Sequence, residues 1–302
     1  MKISTFGLHI GVPMDEYIAD SFHKYFPALS SGVAHALLEE SPLHAWTKHP
    51  RLNPRYEREE SNHLDIGTVA HAILLEGDTK KIAVINAHDW RTKAAQAERD
   101  AARAEGKIPI LADQMNDIEV MVQMANLSIS GSELVDVFKH DGGDSEVTLL
   151  WEDQGVICKA RPDRVSKDRR ILVDYKTTAA SAEPNAWTKG PMLGNGCDIQ
   201  AALCLRGIRS VTATLKQTAR EPKVIFLVQE VSPPYAVSFV GFGGQFEHYA
   251  DVRLDRAIKL WQRCITTKHW PGYPTRTAWV APPPWKCTEW DAQVEEMDKE
   301  ND

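Results

Sequence analysis

The sequence has few cysteines and no pattern among them. The 302 residues include five cysteines, an odd number, and none forms a C-x-x-C pair. This argues against a disulfide framework and against a thiolate-rich zinc or iron–sulfur site. Buried, reduced thiols are the expected state of Cys158, Cys197, Cys204, Cys264 and Cys287.

A long hydrophobic run is also missing. No apolar stretch approaches the roughly 18 residues that span a bilayer. The first residues, MKISTFGLHIGVPMDEY, show no charged segment followed by a long apolar one. With 43% hydrophobic and 25% charged residues, the composition is that of a soluble globular protein. We therefore expect a cytoplasmic protein.

The chain has no overall excess of basic residues, because its net charge is -7. Most of this charge comes from the last fourteen residues, which hold seven acids and one lysine. The window 159–176 is different, with seven basic residues against three acidic ones. Local basicity matters more than the total for binding a polyanion, so a nucleic-acid partner stays open.

No internal repeat and no obvious linker interrupt the middle of the chain. A helical part covers 28–140, a strand-rich part covers 145–245, and an amphipathic helix covers 245–267. This order predicts one α/β or α+β domain over 28–285, with a mixed sheet flanked by helices. The N-terminal segment 1–27 has no predicted role, and a loop-rich acidic tail follows at 286–302.

Hydrophobic periodicity and capping residues predict the individual elements. The first expected helix begins at Ser30 or Ser31 and ends before Pro42, and the second contains His71 and ends at Gly77. Three further helices are expected over 91–106, 112–127 and 197–207. The stretch SEVTLLWEDQGVICKARPDRVSKDRRILVDYKTT predicts three strands of an antiparallel meander, turning at 153–155 and 166–168. Two further strands, KVIFLVQEV and YAVSFVGF, are expected on either side of Pro233-Pro234.

The last strand of this meander carries the candidate chemistry. Successive side chains of a strand point to opposite faces, so Asp174 and Lys176 share a face with Leu172. The meander brings Asp163, at the end of the preceding strand, near that face. Two converging carboxylates suit Mg²⁺ or Mn²⁺. The alternative is an Asp–Lys pair on a solvated edge strand, which is common on protein surfaces.

Pro162-Asp163 followed by Asp174-Tyr175-Lys176 resembles the signature of the PD-(D/E)xK nuclease superfamily, which has a restriction-endonuclease-like core. More closely, the chain resembles the RecE-type exodeoxyribonucleases (exonuclease VIII) of phages and prophages. The resemblance extends from about residue 28 to about 285. Its matching stretches are LSSGVAHALLEESPLHAW, IGTVAHAILLEG, SEVTLLWEDQGVICKARPDRV, ILVDYKTT, DIQAALCL, FLVQEVSPPYAVSF and WPGY.

The resemblance implies a role for several positions. Asp163 and Asp174 match the metal-binding acids, and Lys176 matches the catalytic lysine. His71, in a G-x-x-x-H helix that begins with Gly67, and the carbonyl of Tyr175 would complete the metal site. From the residues alone, a single helical histidine is more often a packed or solvent-facing side chain, so this role rests on the resemblance.

Further positions are expected to serve the substrate. Gln200 matches the glutamine of the family's Q-x-x-x-Y motif, which helps to place substrate or water, but Cys204 stands where that motif has tyrosine. Glu146 matches an acid at the start of the first core strand and is expected near the substrate; an exposed glutamate at a strand end is the alternative. Arg161 and Arg164 are candidate phosphate contacts, together with Lys167, Arg169 and Arg170; each could equally be a solvated surface cation.

The function implied by the resemblance is a Mg²⁺- or Mn²⁺-dependent exodeoxyribonuclease with one or two ions. Such an enzyme digests duplex DNA ends from 5′ to 3′ in the bacterial host, leaves a 3′ strand for an annealing protein, and forms a ring-shaped homo-oligomer. One alternative is a RecB-like endonuclease, whose iron–sulfur type has clustered cysteines that this chain lacks. The other is an inactive nuclease fold that binds DNA or assembles complexes; Cys204 mildly favours it, and the intact Asp163, Asp174 and Lys176 argue against it.

Overall fold

A computed structural model describes residues 5–57, 62–77, 79–214 and 221–300. The chain divides into two compact units, Met1–Trp270 and Pro271–Asp302. The helices of the first unit are α1 Met14–Ala19, α2 Ser31–Glu39, α3 Pro42–Thr47, α4 Asn62–His71, α5 Lys93–Ala104, α6 Ala112–Ser130, α7 Val135–Phe138, α8 Pro184–Trp187, α9 Cys197–Thr214 and α10 Gly244–Thr267, with π-helical turns at Ala72–Glu76 and Thr188–Met192. The second unit contains α11 Pro284–Glu300.

The strands belong to three sheets within the described residues. They are β1 Gly7–His9, β2 Ile82–Ile85, β3 Ile108–Leu111, β4 Gly143–Ser145, β5 Thr148–Asp153, β6 Val156–Ala160, β7 Arg164–Ser166, β8 Ile171–Thr178, β9 Lys223–Glu230 and β10 Val237–Gly241. The five-stranded sheet has the order β10-β9-β8-β7-β4, and the smaller sheets have the orders β1-β5-β6 and β2-β3. In the five-stranded sheet β8 and β9 are parallel and the other pairs are antiparallel. The predicted mixed sheet flanked by helices is therefore confirmed.

Strand β8 lies at the centre of the five-stranded sheet and is covered on both faces. Leu172 packs with α2, α9 and α10 in one hydrophobic core. Val173 and Tyr175 pack with α4 and α6 in the other. A strand between two cores has no solvated face, so the edge-strand alternative for Asp174 and Lys176 is wrong.

The predicted meander is corrected at its second strand. The chain leaves the β1-β5-β6 sheet after Ala160 and enters the five-stranded sheet at Arg164, so one predicted strand is two strands in two sheets. Pro162 lies in this crossing, where its lack of an N–H costs no ladder hydrogen bond. Asp163 is therefore at the junction of the two sheets.

Most predicted helices are present, with shifted ends. Helix α9 continues to Thr214, beyond the expected end at 207. A further helix, α3, begins at Pro42, where Ser41 caps it by accepting a hydrogen bond from the N–H of His44. The tail expected to be loop-rich is helical over Pro284–Glu300. Among the described residues, no helix has both the length and the apolar character needed to cross a membrane.

Candidate active site

The central strand presents an acid and a base to one side of the sheet, as its alternation predicts. Asp174 is buried, with 3% of its surface exposed, and its carboxylate forms an ion pair with Lys176. Gln200, on α9, donates a hydrogen bond to the other oxygen, Asp174 Oδ2. Both oxygens of this carboxylate are thus held by neighbouring side chains, which fixes its orientation.

Asp163 is held beside Asp174 by the backbone of β8. The N–H of Tyr175 donates to Asp163 Oδ2 at 2.7 Å. The carbonyl of Asp163 in turn accepts the N–H of Glu146 at 2.8 Å. Glu146 has φ +54°, in the left-handed region that few non-glycine residues adopt. Such strain is often found at functional sites, and here it directs Glu146 toward Asp163.

His71 reaches these acids because α4 lies unusually close to β8. A Cβ atom on Gly67 would lie 2.7 Å from Thr177 Oγ1, so only glycine permits this approach. One helical turn later, His71 Nε2 lies 3.1 Å from Asp163 Oδ1 and 3.3 Å from Glu146 Oε1. The G-x-x-x-H spacing therefore has a physical reason: Gly67 allows α4 to lie close to β8, and His71, one turn later, is then within contact distance of Asp163 and Glu146.

One ligand atom from each of His71, Glu146 and Asp163 lies within 4.8 Å of the others. This separation fits a single divalent ion, because two ligands on opposite sides of an ion at about 2.1 Å per bond are about 4.2 Å apart. Asp174, also predicted as a metal ligand, is not in this group of three; its carboxylate contacts Lys176 and Gln200. Sequence reasoning assigned Glu146 to substrate binding and did not foresee it here, although its place directly before a buried strand was visible.

Glu146 and Asp163 line a cavity of about 500 Å³, whereas buried Asp174 lies behind Lys176 and Gln200 and does not line it. Helix α9 forms part of its wall through Gln200, Leu203 and Cys204, of which the first and last are one turn apart. Tyr17, from the N-terminal segment, also lines it and was not predicted. The predicted site residues that line the cavity are His71, Glu146, Arg161, Asp163, Tyr175, Lys176 and Gln200.

The predicted cations are distributed unevenly around this cavity. Arg161 is at its wall, where Nε donates to Glu146 Oε2 at 2.5 Å. Arg164 is buried instead, and its guanidinium donates to the carbonyls of Val137 and Lys139 and to Ser145 Oγ. With three protein acceptors, Arg164 is not placed for the phosphate contact expected of it.

The remaining basic residues of the window lie near acidic partners. Lys167 Nζ and Arg169 Nη1 bind the two oxygens of Asp144, at 2.5 and 2.8 Å. Arg170 lies 3.9 Å from Asp168. The local excess of positive charge seen in the sequence is therefore partly neutralised by acids from the same sheet.

The charges of the site shift the pKa values of its members in different directions. Burial alone would lower the pKa of His71, but Asp163 and Glu146 outweigh it and raise that pKa to about 9. Burial and the charge of Asp163 raise the pKa of Asp174 to about 6. For Lys176, burial opposes the charged form, yet Asp174 and Asp163 raise its pKa above the usual range. Without a metal, the site therefore holds a protonated imidazole and an ammonium group among its acids.

Comparison with known proteins agrees with this architecture. Residues 35–279 match the family described as "PDDEXK-like domain of unknown function (DUF3799)". The chain is similar to the solved structure of a "Putative exonuclease" from Eubacterium rectale, with a TM-score of 0.53 and 12% identity, over 91% of this chain and 96% of that one. It also aligns with a phage related exonuclease from Haemophilus somnus, with a TM-score of 0.32 and 10% identity, over 81% and 98%.

No curated protein shows a significant match to the chain. At 12% identity, the likeness to the Eubacterium rectale protein concerns the fold. The family match covers the sheet, the helices around it and every residue of the cavity discussed above except Tyr17. The chain belongs to the PDDEXK-like DUF3799 family and has the PD-(D/E)xK nuclease fold.

Proposed function

We propose that the chain is a divalent-metal-dependent deoxyribonuclease that hydrolyses phosphodiester bonds. The observation that carries this proposal is the meeting of His71, Glu146 and Asp163 within 4.8 Å, beside Asp174 and Lys176. Imidazole and carboxylate donors at this separation would hold Mg²⁺ or Mn²⁺. When bound, the ion would supply a water of lowered pKa and stabilise charge on the phosphate.

The side chains around this centre have distinct roles in the proposed reaction. His71 must release the proton from Nε2 before that atom can act as a ligand, so metal binding would displace a proton. Lys176, held by Asp174, presents an ammonium group that would orient the attacking water and attract the phosphate. Gln200 keeps the Asp174 carboxylate in place for this task.

The finer proposal follows the resemblance to RecE-type exodeoxyribonucleases. In this form the enzyme digests duplex DNA from 5′ to 3′ at an end, with one or two Mg²⁺ ions. It would leave a 3′ single strand for an annealing protein and work as a ring-shaped homo-oligomer in the bacterial cytoplasm. The size of the cavity supports action on a strand that has separated from its complement, because about 500 Å³ is the size of a small-molecule site.

Degradation of an end-labelled linear duplex with Mg²⁺ tests the proposal. We expect the wild type to degrade it, and Asp174→Ala to lose activity by on the order of 10³-fold, because several kcal/mol of charge stabilisation depend on this centre. EDTA should abolish activity as well. Labels at the 5′ and 3′ ends give the direction of digestion.

A covalently closed circle serves as the control substrate. An exonuclease leaves it intact, whereas cutting of the circle would support the RecB-like endonuclease. If the wild type degrades neither the linear nor the circular DNA, with Mg²⁺ or with Mn²⁺, but still binds duplex, the result would support the inactive DNA-binding module and not the enzyme.

A further inference from the structure

Tyr17 connects the N-terminal segment with the cavity. It lies on α1 and is partly buried, and its side chain lines the cavity together with Gln200 and Cys204. The segment 1–27 had no role in the sequence analysis. Its contribution of a cavity wall makes it part of the site.

The backbone at Tyr17 is anchored by a buried lysine. Lys159 is 4% exposed, and its Nζ donates to the Tyr17 carbonyl at 2.7 Å while pairing with Asp20 at 3.0 Å. The same ammonium lies 4.8 Å from the centre of the Tyr17 ring, and the Arg161 guanidinium lies 5.5 Å from it. Two cations against one ring hold Tyr17 far more firmly than a surface tyrosine.

The Tyr17 hydroxyl is an uncommitted hydrogen-bond donor in this cavity. Arg161 donates from Nε to Glu146 and from Nη1 to the carbonyl of Val12 and to Thr148 Oγ1, which leaves only Nη2 for a ligand. The Gln200 amide donates to Asp174. The hydroxyl of Tyr17 makes no hydrogen bond to any residue within the described ranges. Burial and the nearby Cys204 raise the pKa of Tyr17, so the hydroxyl keeps its proton at neutral pH.

We propose that Tyr17 is a substrate-binding residue whose hydroxyl donates a hydrogen bond to a phosphate oxygen of a nucleic acid strand in the cavity. Helix α9 offers no phenol there, since the residue one turn after Gln200 is Cys204, whose buried thiol is a weak donor. The phenol available to a ligand is therefore that of Tyr17, on α1, which lines the same cavity. This inference rests on the proposed nuclease function.

The variant Tyr17→Phe removes the hydroxyl and keeps the ring and its cation contacts. Tyr25→Phe is the matched control, because Tyr25 belongs to the same segment and is 71% exposed. On a linear duplex with Mg²⁺ we expect kcat/KM of Tyr17→Phe to fall by about 10- to 100-fold, the effect of losing a hydrogen bond to a charged group. Tyr25→Phe should match the wild type, and both variants should keep the wild-type unfolding midpoint.

Two readouts separate substrate contact from a structural role. A phosphorothioate strand replaces the acceptor oxygen with sulfur, a weaker acceptor, so the deficit of Tyr17→Phe should shrink on it. Fluorescence anisotropy with Ca²⁺ in place of Mg²⁺ should show weaker binding of a labelled single strand by Tyr17→Phe. An equal deficit on both substrates would mean that the hydroxyl acts through the fold, and would overturn the inference.

The outcomes also distinguish this inference from the function on which it rests. If the wild type degrades DNA and Tyr17→Phe does so with equal kcat/KM, the inference fails and the nuclease stands. If the wild type binds DNA without degrading it, the nuclease fails, and the binding comparison decides about Tyr17. If the wild type neither binds nor degrades DNA, both are wrong.

Discussion

Two groups of charged side chains in the first unit each contain a histidine beside an aspartate, and the pKa values of the two histidines shift in opposite directions. The Asp20 cluster consists of Asp20, His49, Arg51 and Lys159. The His71 cluster consists of His71, Glu146 and Asp163. Each has a histidine about 3 to 3.5 Å from a carboxylate oxygen. Burial and the net charge around the histidine separate them.

In the Asp20 cluster, one carboxylate faces two permanent cations. His49 is 1% exposed; its Nε2 donates to the carbonyl of Ala28 at 3.2 Å, and its Nδ1 accepts the N–H of Arg51 at 3.2 Å. These partners suit a neutral imidazole. Burial, with a smaller contribution from Lys159, lowers the pKa of His49 to about 4 against the attraction of Asp20.

In the His71 cluster, the acids outnumber the cations that reach the histidine. Asp163, Glu146 and Asp174 all favour the protonated imidazole, and the pKa of His71 rises to about 9. An excess of negative charge beside a cavity is an arrangement that a divalent cation would relieve. The members of the Asp20 cluster pair with one another and connect Asp20 with Lys159 of β6. The His71 cluster instead lines the cavity, where we propose that a divalent cation binds.

The largest expected effect comes from Asp20→Asn, which tests whether the Asp20 cluster stabilises the fold. The substitution leaves the ammonium of Lys159 buried without its carboxylate, and breaking a buried ion pair in this way costs about 3 to 5 kcal/mol. We expect the free energy of unfolding, measured by urea denaturation, to fall by this amount.

Asp163→Asn is the control for that prediction. It leaves no permanent cation buried without a partner, because the His71 imidazole can release its proton, so in EDTA it should cost less stability than Asp20→Asn while abolishing nuclease activity. Equal destabilisation by the two substitutions would contradict the distinction between a stabilising cluster and a cation-binding one.

A smaller effect is expected from Gly67→Ala, which changes the position of His71 without changing the cluster itself. The added methyl would lie 2.7 Å from Thr177 Oγ1, so either α4 or the Thr177 side chain must move. We expect the affinity for Mn²⁺, measured by calorimetry, to fall by about 10- to 100-fold, as for the loss of a residue that orients a ligand.

Two further variants make this test specific. Gly32→Ala is the control, because Gly32 is also in a helix, α2, and a Cβ atom on it would meet nothing within 4 Å. Adding Thr177→Ala to Gly67→Ala removes the atom that clashes and should restore part of the affinity. If Gly67→Ala binds Mn²⁺ as the wild type does, the close approach of α4 does not position His71.

The sequence predicts those parts of the site that depend on local geometry. Strand alternation placed Asp174 and Lys176 together, because a strand with a period of two keeps this relation in any sheet. The spacing from Gly67 to His71 also depends only on local geometry, since the two residues are one helical turn apart. Local periodicity was also sufficient for the mixed α/β fold class.

Contacts between distant segments were not visible in the sequence. The split at Pro162 depends on which strands pair, and no local pattern encodes that the chain changes sheets there. Tyr17 is far from Asp163 along the chain and has no spacing that relates it to the acids. Arg164 belongs to a basic window, yet its burial follows from carbonyls of the segment around α7, which sequence reasoning could not place beside it.

The smallest expected effect is the pH dependence of stability, which should have opposite signs for the two histidines. The folded-state pKa of His49 lies below its ordinary value of 6.5, so the unfolded chain binds its proton more tightly. Its contribution to stability is therefore lost as the pH falls from 6.5 toward 4. The folded-state pKa of His71 is raised to about 9, so its contribution is present below 6.5 and lost as the pH rises through 9.

Urea denaturation in EDTA at pH 5.5, 7 and 8.5 would measure both slopes. Relative to that of His49→Gln, the free energy of unfolding of the wild type should fall by about 1 kcal/mol between pH 7 and 5.5. Relative to that of His71→Gln, the free energy of unfolding of the wild type should fall by a similar amount or more between pH 7 and 8.5. Slopes of the same sign would mean that the surrounding charges do not distinguish the two imidazoles, and that the excess of negative charge around His71 is too small to attract a cation.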